Sequence, residues 1–214
     1  KIMWDNAYCV HHLTDTHDVI LNMLEECRKA GHEDRALMFC SLSKVTFPGA
    51  GVAAMAASRR NIDYILKNMF PMIISFDKLN QVRHIRFLKD MDGLAAHMEK
   101  HRALLEPKFR AVLAILDEGL SGCGSIARWT KPNGGYFLSL YTLGGCAKRT
   151  VQLCREAGVV LTDAGAAYPY GVDPQDSNIR IAPTFPPLDE LETASRLLCV
   201  CVRIATLEKL LQRQ

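Results

Sequence analysis

Four polar side chains near the start of the chain have types and spacings that suit catalysis. Asp5 and Tyr8 lie in Asp5-Asn-Ala-Tyr8, and Lys44 follows Tyr8 by 36 residues, at the end of Ser41-Leu-Ser-Lys44. The cluster combines a carboxylate, a phenol, a hydroxyl and an amine. An amine can act as a nucleophile or move a proton, and its acidic neighbours can set the protonation of a group bound beside it.

These are the groups that a pyridoxal ring requires from a protein. A carboxylate such as Asp5 keeps the pyridine nitrogen protonated, so that the ring can accept electron density when a substrate C–H bond breaks. The hydroxyl of Tyr8 can hydrogen-bond the phenolic oxygen of the ring, and that of Ser41 can reach the cofactor phosphate. A partly desolvated lysine such as Lys44 can bond an aldehyde as an imine and later carry the proton.

The elements around these residues should bring them to one edge of a sheet. Apolar runs at 2–4 and 36–39 predict two strands, and the spacing of apolar residues over 17–30 predicts a helix between them, with Thr16 as its N-cap. A strand, a crossover helix and a second strand form a parallel βαβ unit, so the predicted fold class is α/β. Ligands of such sheets lie beyond the carboxyl ends of the strands, where all four candidates are placed.

The rest of the chain predicts a second, smaller unit. A helical pattern extends over 79–120, where Pro107 should introduce a kink, and a helix of this length often joins two domains. Beyond it the pattern predicts a small α+β arrangement, with a helix at 147–157, strands at 159–162 and 179–182, and a closing helix from residue 188 onward.

The motifs, in this order, resemble those of the fold-type I aminotransferases, the aspartate aminotransferase superfamily. D-x-A-Y is paired with S-x-S-K, and the later Asn178-Ile-Arg-Ile-Ala-Pro183 is similar to the motif that binds the substrate carboxylate in that family. The wider segments 5–13, 43–51 and 178–186 are similar to a bacterial aspartate aminotransferase branch. The resemblance spans essentially all 214 residues and corresponds to about the C-terminal half of a typical member.

The resemblance implies a role for each candidate. Asp5 would pair with the pyridine nitrogen of pyridoxal 5′-phosphate, Tyr8 with its phenolic oxygen and Ser41 with its phosphate, while Lys44 would carry the cofactor as a Schiff base. Arg180 would bind the substrate α-carboxylate with its planar, two-pronged guanidinium. The implied enzyme is a homodimer that moves an amino group from an amino acid, in this branch aspartate, to 2-oxoglutarate. The short apolar runs and the lack of a charged-then-apolar leader predict that it is cytoplasmic.

The sequence departs from the family pattern in two places. Most members carry a phosphate-binding arginine a few residues after the lysine, and here Gly51 stands at the corresponding position. The phosphate would then be left to Thr46, Ser41 or a residue outside these 214. The arginine that reads a second substrate carboxylate also has no clear match, although Lys78 and Arg83 lie in the corresponding region.

The resemblance also divides the chain into domains. Residues 1–90 would be the C-terminal part of the large cofactor-binding domain, and residues 91–214 the small C-terminal domain. In the family the active site lies between the two domains and at a dimer interface. We therefore expect residues 1–214 alone to be inactive.

Composition argues against several other classes of protein. The net charge is only +3, and basic and acidic residues are mixed along the chain, which does not favour nucleic-acid binding. The apolar runs are too short to cross a bilayer, and no charged-then-apolar leader opens the chain. The eight cysteines lie in apolar stretches, which favours buried free thiols over disulfides, and their spacing does not fit a zinc site. His11 and His12 lack a partner at metal-ligand spacing, so we interpret them as loop or packing residues and predict no metal.

Two alternatives stay open at this point. One is the effector-binding domain of a transcription regulator, in which a winged helix is fused to an aminotransferase-like body that retains the lysine and the cofactor. The other is a different fold-type I reaction, such as decarboxylation or β-elimination, because the fold does not determine the chemistry. A basic helix-turn-helix segment ahead of this chain would favour the regulator.

Overall fold

The computed structural model describes residues 1–212, which form two compact units. The first comprises Lys1–His101 and the second begins at Arg102. Among the described residues, no helix combines the length and the apolar character that crossing a membrane requires. Each unit contains its own three-stranded sheet.

The sheet of the first unit has the order β1-β2-β3. Strand β1 (Ile2–Asp5) pairs in parallel with β2 (Ala36–Ser41), with Ile2 opposite Ala36 and Asp5 opposite Phe39. Strand β3 (Ala53–Ala57), which lies in the alanine-rich stretch, adds to β2 in the antiparallel direction. The predicted parallel pair is therefore present, and both candidate segments leave the sheet at its carboxyl edge.

The crossover helix is shorter than its apolar spacing predicts. Helix α1 spans Met23–Lys29, and its N-cap is Asn22, whose side chain accepts a hydrogen bond from the Glu25 N–H at 3.2 Å. The predicted first turn, with Thr16 as the cap, is wrong because Val19 is 96% exposed and has no core to pack against. Periodicity alone cannot separate an apolar residue that is buried from one that is not.

Three further helices begin in the first unit. Helix α2 spans Arg59–Met69, α3 Lys78–Leu88 and α4 Met91–Leu120. The single helix predicted over 79–120 is interrupted at Lys89, which has a φ of 65°, and Asp90 then accepts the Gly93 N–H at 2.8 Å to open α4. Pro107 lies inside α4, which continues through it.

The second unit is built on an antiparallel sheet with the order β4-β5-β6. Its strands are β4 (Ala127–Trp129), β5 (Leu138–Thr142) and β6 (Asn178–Ile181), and its remaining helices are α5 (Ala147–Glu156) and α6 (Leu188–Leu211). Short 3-10 turns occur at Glu33–Arg35, Ser121–Cys123 and Pro169–Gly171.

The strand predicted at 159–162 is wrong. The Gly158 N–H donates to the Arg155 carbonyl at 3.1 Å, and the Val159 N–H donates to the Cys154 carbonyl at 2.8 Å. These two bonds, with Gly158 at a φ of 90°, form the Schellman motif that ends α5. The helix end thus uses the backbone donor of Val159, and Val160 is 80% exposed rather than packed in a sheet.

The core of the second unit lies on one face of its sheet. Residues two apart in a strand share a face, so Leu138 and Leu140 of β5 pack on the same side as Ile179 and Ile181 of β6, and all four are buried. Helices α4, α5 and α6 also contribute buried residues to the second unit, among them Val112, Leu116, Val151, Leu198 and Val202.

All eight cysteines lie among the described residues, and none of them forms a disulfide. Five are buried, as the sequence suggested, whereas Cys9 and Cys123 are half-buried and Cys40 is exposed. Burial raises the pKa of Cys199 to about 11 and also raises the pKa of Cys154. Such thiols stay protonated near neutral pH, which makes them packing residues rather than nucleophiles.

A buried carboxylate organises the chain that enters β6. Asp173 accepts the N–H of Gln175 at 2.9 Å, of Ser177 at 2.7 Å and of Asn178 at 2.8 Å. Burial by itself would raise the pKa of Asp173, but these donors favour the charged form more strongly, so the pKa is lowered from 3.8. The carboxylate therefore fixes the start of the strand that carries Arg180.

We expect Asp173→Ala to lower the free energy of unfolding by roughly 2–3 kcal/mol, because three backbone donors lose a charged acceptor. Since the folded pKa is lowered, this contribution is present above about pH 4 and is lost as the pH falls below it. Denaturant unfolding of the full-length protein from pH 3 to pH 7 measures both effects. The exposed, ion-paired Asp163 provides the control, and Asp163→Ala should cost far less. An equal cost at both positions would contradict this account of the Asp173 loop.

Candidate active site

Lys44 lies in a tight turn that follows β2. The Leu42 N–H donates to the Val52 carbonyl at 2.8 Å, and the Leu42 carbonyl accepts the N–H groups of Val45 at 3.0 Å and Thr46 at 2.9 Å. We call residues 41–46 the lysine turn. Within it the Lys44 side chain is exposed while Val45 is buried, so the turn presents the amine outward from an anchored backbone.

The lysine turn packs directly against Gly51. A Cβ placed at position 51 would lie 2.6 Å from the Ser43 Oγ and 2.9 Å from the Ser43 nitrogen, closer than such atoms normally approach. The Ser41 hydroxyl in turn donates to the Ser43 Oγ at 2.9 Å and accepts the Ser43 N–H at 3.1 Å. A side chain at position 51, such as an arginine, would not fit this backbone.

Asp5 and Tyr8 lie where β1 ends. The Asn6 N–H donates to the Phe39 carbonyl at 2.8 Å, which extends the pairing of β1 with β2 by one residue. The Asp5 Oδ1 accepts the Ala7 N–H at 3.0 Å, and this bond holds an exposed carboxylate at the strand end. Tyr8 is half-buried, and its backbone carbonyl accepts the His11 N–H at 3.0 Å.

A histidine joins the two segments. The His11 Nε2 lies 3.1 Å from the carbonyl oxygen of Lys44, and the His11 ring meets the Tyr8 ring edge-on with centroids 5.5 Å apart. Because a carbonyl can only accept, the imidazole N–H donates to it. The structure thus places the loop that carries Asp5 and Tyr8 against the turn that carries Lys44, as the parallel pairing of their strands suggested.

Sequence reasoning overlooked three other histidines near the lysine turn. The His97 Nε2 lies 2.8 Å from the Val45 carbonyl oxygen, and the His101 Nε2 lies 3.2 Å from the His97 Nε2. The His84 Nε2 lies 2.7 Å from the Thr46 Oγ1. The spacing of His97 and His101, four residues apart on a helix, was the one available signal, since such residues share a face. Interpreting His11 as a packing residue missed its bond to Lys44.

The surroundings of His11 and His101 lower the pKa of both rings. Burial lowers the pKa of His11, although hydrogen bonds to the Lys44 and Tyr8 backbone act in the other direction. Burial and the neighbouring His97 and His11 lower the pKa of His101. In the described part of the chain, no three His, Cys, Asp or Glu side chains are arranged to hold a metal ion.

Arg180 occupies the opposite face of β6 from the buried Ile179 and Ile181. Its guanidinium carbon lies 4.6 Å from the centre of the Phe137 ring, and its buried Nε has no hydrogen-bond partner among the described residues. Arg180 also lines a cavity of about 700 Å³ in the second unit, together with residues that include Thr162 and Phe185. The Arg180 guanidinium is thus a planar cation that lies on an aromatic ring and has an unused N–H donor. These properties suit it to bind a carboxylate.

Thr46 and Arg83, candidates for the phosphate and for a second carboxylate, line the same small cavity. The Thr46 Oγ1 lies 3.1 Å from the Leu42 carbonyl and also contacts His84, so this hydroxyl is engaged within the protein. Arg83 lines a small cavity of about 260 Å³ beside Thr46. Lys78 is the exposed first residue of α3.

A sequence profile for the family described as "Aspartate amino-transferase" matches residues 1–214. The chain belongs to the aspartate aminotransferase family. A Mycolicibacterium smegmatis protein, provisionally named an aminotransferase, is 48% identical over 211 residues, which are 99% of this chain and 49% of that protein. The aspartate aminotransferase of Corynebacterium glutamicum is 42% identical over 208 residues, or 97% of this chain and 48% of that protein. This family member therefore spans about half the length of the curated relatives it matches.

Solved structures agree with the assignment. A crystal structure of an aspartate transaminase from Corynebacterium glutamicum superposes with a TM-score of 0.93 at 42% identity, covering 97% of this chain and 49% of that one. The α-aminoadipate aminotransferase of Thermus thermophilus, crystallised with N-(5′-phosphopyridoxyl)-L-leucine, has a TM-score of 0.76 at 21% identity and covers 95% of this chain and 50% of that one, a likeness of fold. The predicted α/β class, as part of the aspartate aminotransferase fold, is confirmed, and so is the correspondence to about half of a family member.

We expect Gly51→Ala to destabilise the lysine turn, because the new methyl group would push against the Ser43 backbone. Overpacking of this kind typically costs about 1–3 kcal/mol. The free energy of unfolding of the full-length variant and the exchange rates of its amides over residues 41–46 measure the effect. Gly122→Ala is the control, since a Cβ there meets no atom within 4 Å. A wild-type exchange rate in Gly51→Ala would show that the turn tolerates a side chain at this position.

Proposed function

We propose that this protein is a pyridoxal-phosphate-dependent aminotransferase in which Lys44 bonds the cofactor covalently. The observation that carries the proposal is the hydrogen bond from His11 to the Lys44 carbonyl, because it holds the Asp5–Tyr8 loop against the lysine turn. Carboxylate, phenol and amine are thereby gathered at one edge of a parallel pair of strands, where ligands of α/β sheets bind.

The donor set fits pyridoxal 5′-phosphate, which is the cofactor that membership of this family indicates. Asp5 offers an exposed acceptor for the protonated ring nitrogen, and Tyr8 offers a hydroxyl for the phenolic oxygen. Lys44 supplies the amine for the aldehyde. The phosphate would be met by the Ser41 hydroxyl, turned away from Ser43, with further contacts from outside this chain, because position 51 has no room for an arginine.

When bound, the cofactor supplies an electron-accepting ring that stabilises negative charge at the substrate α-carbon. Lys44 would remove the proton from the substrate α-carbon as a general base and return a proton as a general acid. Its long side chain, at an exposed position in the turn, would give the amine the reach to do both. Asp5 would keep the ring nitrogen protonated.

Arg180 would bind the α-carboxylate that all amino-acid substrates share. Its Nε lacks a hydrogen-bond partner among the described residues, and the Phe137 ring limits the orientations of the guanidinium. A bidentate, charge-assisted pair with a carboxylate would satisfy the unused donors and orient the substrate.

The finer assignment is that aspartate donates the amino group and 2-oxoglutarate accepts it. The name of the Corynebacterium glutamicum relative, at 42% identity, supports the choice of aspartate. Arg83, which lines the cavity beside Thr46, is the better placed of the two candidates for the second carboxylate, because Lys78 does not line that cavity. We further propose that the protein is a cytoplasmic homodimer. Residues 1–90 would belong to its large domain and residues 91–214 to its small domain.

If Lys44 bonds the cofactor, borohydride reduction of the full-length protein should fix the label on the peptide that contains Lys44. Lys44→Ala should abolish the label and the transfer of amino groups to 2-oxoglutarate. The control is Lys67→Ala, which changes an exposed lysine of α2 and should leave both intact. Label on another lysine would overturn the assignment, and cofactor binding without any amino transfer would favour the regulator.

The Arg180→Ala substitution should lower kcat/KM, because a charged substrate group loses its partner. The fall should correspond to a loss of roughly 2–4 kcal/mol in transition-state stabilisation. The loss should be similar for amino acids with and without a second carboxylate, and steady-state kinetics with aspartate and alanine compares them. Arg128→Ala is the matched control, since Arg128 stacks on Tyr141 at 3.9 Å in the same sheet. A loss confined to aspartate would make Arg180 the reader of the distal carboxylate instead.

A further inference from the structure

Histidines from three different elements surround the lysine turn of the first unit. His11 lies in the loop after β1, His84 lies in α3, and His97 and His101 lie in α4. The protein has seven histidines in all, so more than half of them are gathered around six residues of backbone. The catalytic roles proposed above use none of these four side chains.

Two of the rings bind consecutive backbone carbonyls. The His11 Nε2 donates to the Lys44 carbonyl at 3.1 Å, and the His97 Nε2 donates to the Val45 carbonyl at 2.8 Å. Since a carbonyl has no proton to offer, both rings must carry a proton on Nε2. The two peptide planes that follow the Lys44 Cα are thus each held from outside the turn.

The other two histidines lie close to these donors and to the turn. The His101 Nε2 lies 3.2 Å from the His97 Nε2, whose proton is already donated to the Val45 carbonyl. Burial and the nearby His97 and His11 lower the pKa of His101. His84 holds the far end of the turn, with Nδ1 donating to the Asn80 carbonyl at 2.8 Å and Nε2 against the Thr46 hydroxyl.

We propose that His11 and His97 are positioning residues for Lys44, which hold the carbonyls of Lys44 and Val45 and thereby fix the direction in which the Lys44 amine leaves the turn. The inference rests on the proposed function of Lys44. Lys44 is exposed, and its backbone carbonyl and that of Val45 are the groups that the two rings hold. Small misplacements of a reacting group can cost about 100-fold in rate, which makes such control valuable.

The test compares two substitutions at His97 in the full-length protein. His97→Leu keeps a side chain of similar size and removes the hydrogen-bond donor. His97→Gln retains an N–H group that can reach the Val45 carbonyl. His32→Leu, at an exposed histidine outside the cluster, is the control. The pair His11→Leu and His11→Gln repeats the comparison at the Lys44 carbonyl, in case His97→Leu does not fold.

Two measurements are made on each variant. Amide hydrogen exchange of residues 41–46 in the cofactor-free protein reports whether the turn is held, and we expect it to be at least about tenfold faster in the leucine variants than in the glutamine variants. The second measurement is the pH midpoint of the absorbance change of the bound cofactor. This midpoint reports the orientation of the Lys44 nitrogen relative to the cofactor ring. We expect it to move by roughly half a unit or more in the leucine variants and to return towards wild type in the glutamine variants.

Faster exchange together with a moved midpoint, both restored by glutamine, supports the proposal. Faster exchange with an unmoved midpoint would mean that the histidines only stabilise the turn, and unchanged exchange would mean that they do not hold it, so either result overturns the proposal. Absence of cofactor absorbance in the unsubstituted protein would count against the proposed function. Amide exchange in the cofactor-free protein tests separately whether the histidines hold the lysine turn.

Discussion

The parallel pairing of β1 with β2 is the constraint on which the arrangement of the first unit depends. Because the strands run in the same direction, with Asp5 opposite Phe39, the chain leaves both of them at one edge. Antiparallel strands would have sent the Asp5 loop and the lysine turn to opposite ends of the sheet. The bond from the Asn6 N–H to the Phe39 carbonyl extends the pairing, and the bond from His11 to Lys44 closes the gap between the segments beyond it.

Within this frame, the lysine turn is shaped by contacts on two sides. Gly51 allows the backbone to lie against Ser43 so closely that a Cβ would be 2.6 Å from its hydroxyl. On the other side, histidine rings bind the carbonyls of Lys44 and Val45. Close packing at Gly51 and hydrogen bonds from the two rings therefore both hold the backbone from which the Lys44 side chain extends.

The second unit positions its arginine by the alternation of a strand rather than by a turn. Ile179 and Ile181 are buried in the core, which obliges Arg180 to point to the other face, where Phe137 stacks on it. The start of that strand is fixed by the Asp173 carboxylate, through its bonds to the Ser177 and Asn178 backbone. The burial of Ile179 and Ile181 sets the face on which the Arg180 guanidinium lies, and the Asp173 carboxylate fixes the start of its strand.

The sequence by itself predicted the α/β class, the parallel pair of strands and the identities of Asp5, Tyr8, Ser41, Lys44 and Arg180 as candidates, because residue types, motif spacing and the strand–helix–strand pattern are visible in it. Tertiary structure decided what depends on partners distant in the chain. Val19 is 96% exposed, and the Val159 N–H bonds to the Cys154 carbonyl at the end of α5, so neither residue takes the place that its sequence pattern predicts. His11 and His97 became neighbours of Lys44, 33 and 53 residues away, only through the packing of a loop and a helix against the turn. No spacing rule in a sequence contains such contacts, since they arise from the three-dimensional path of the backbone.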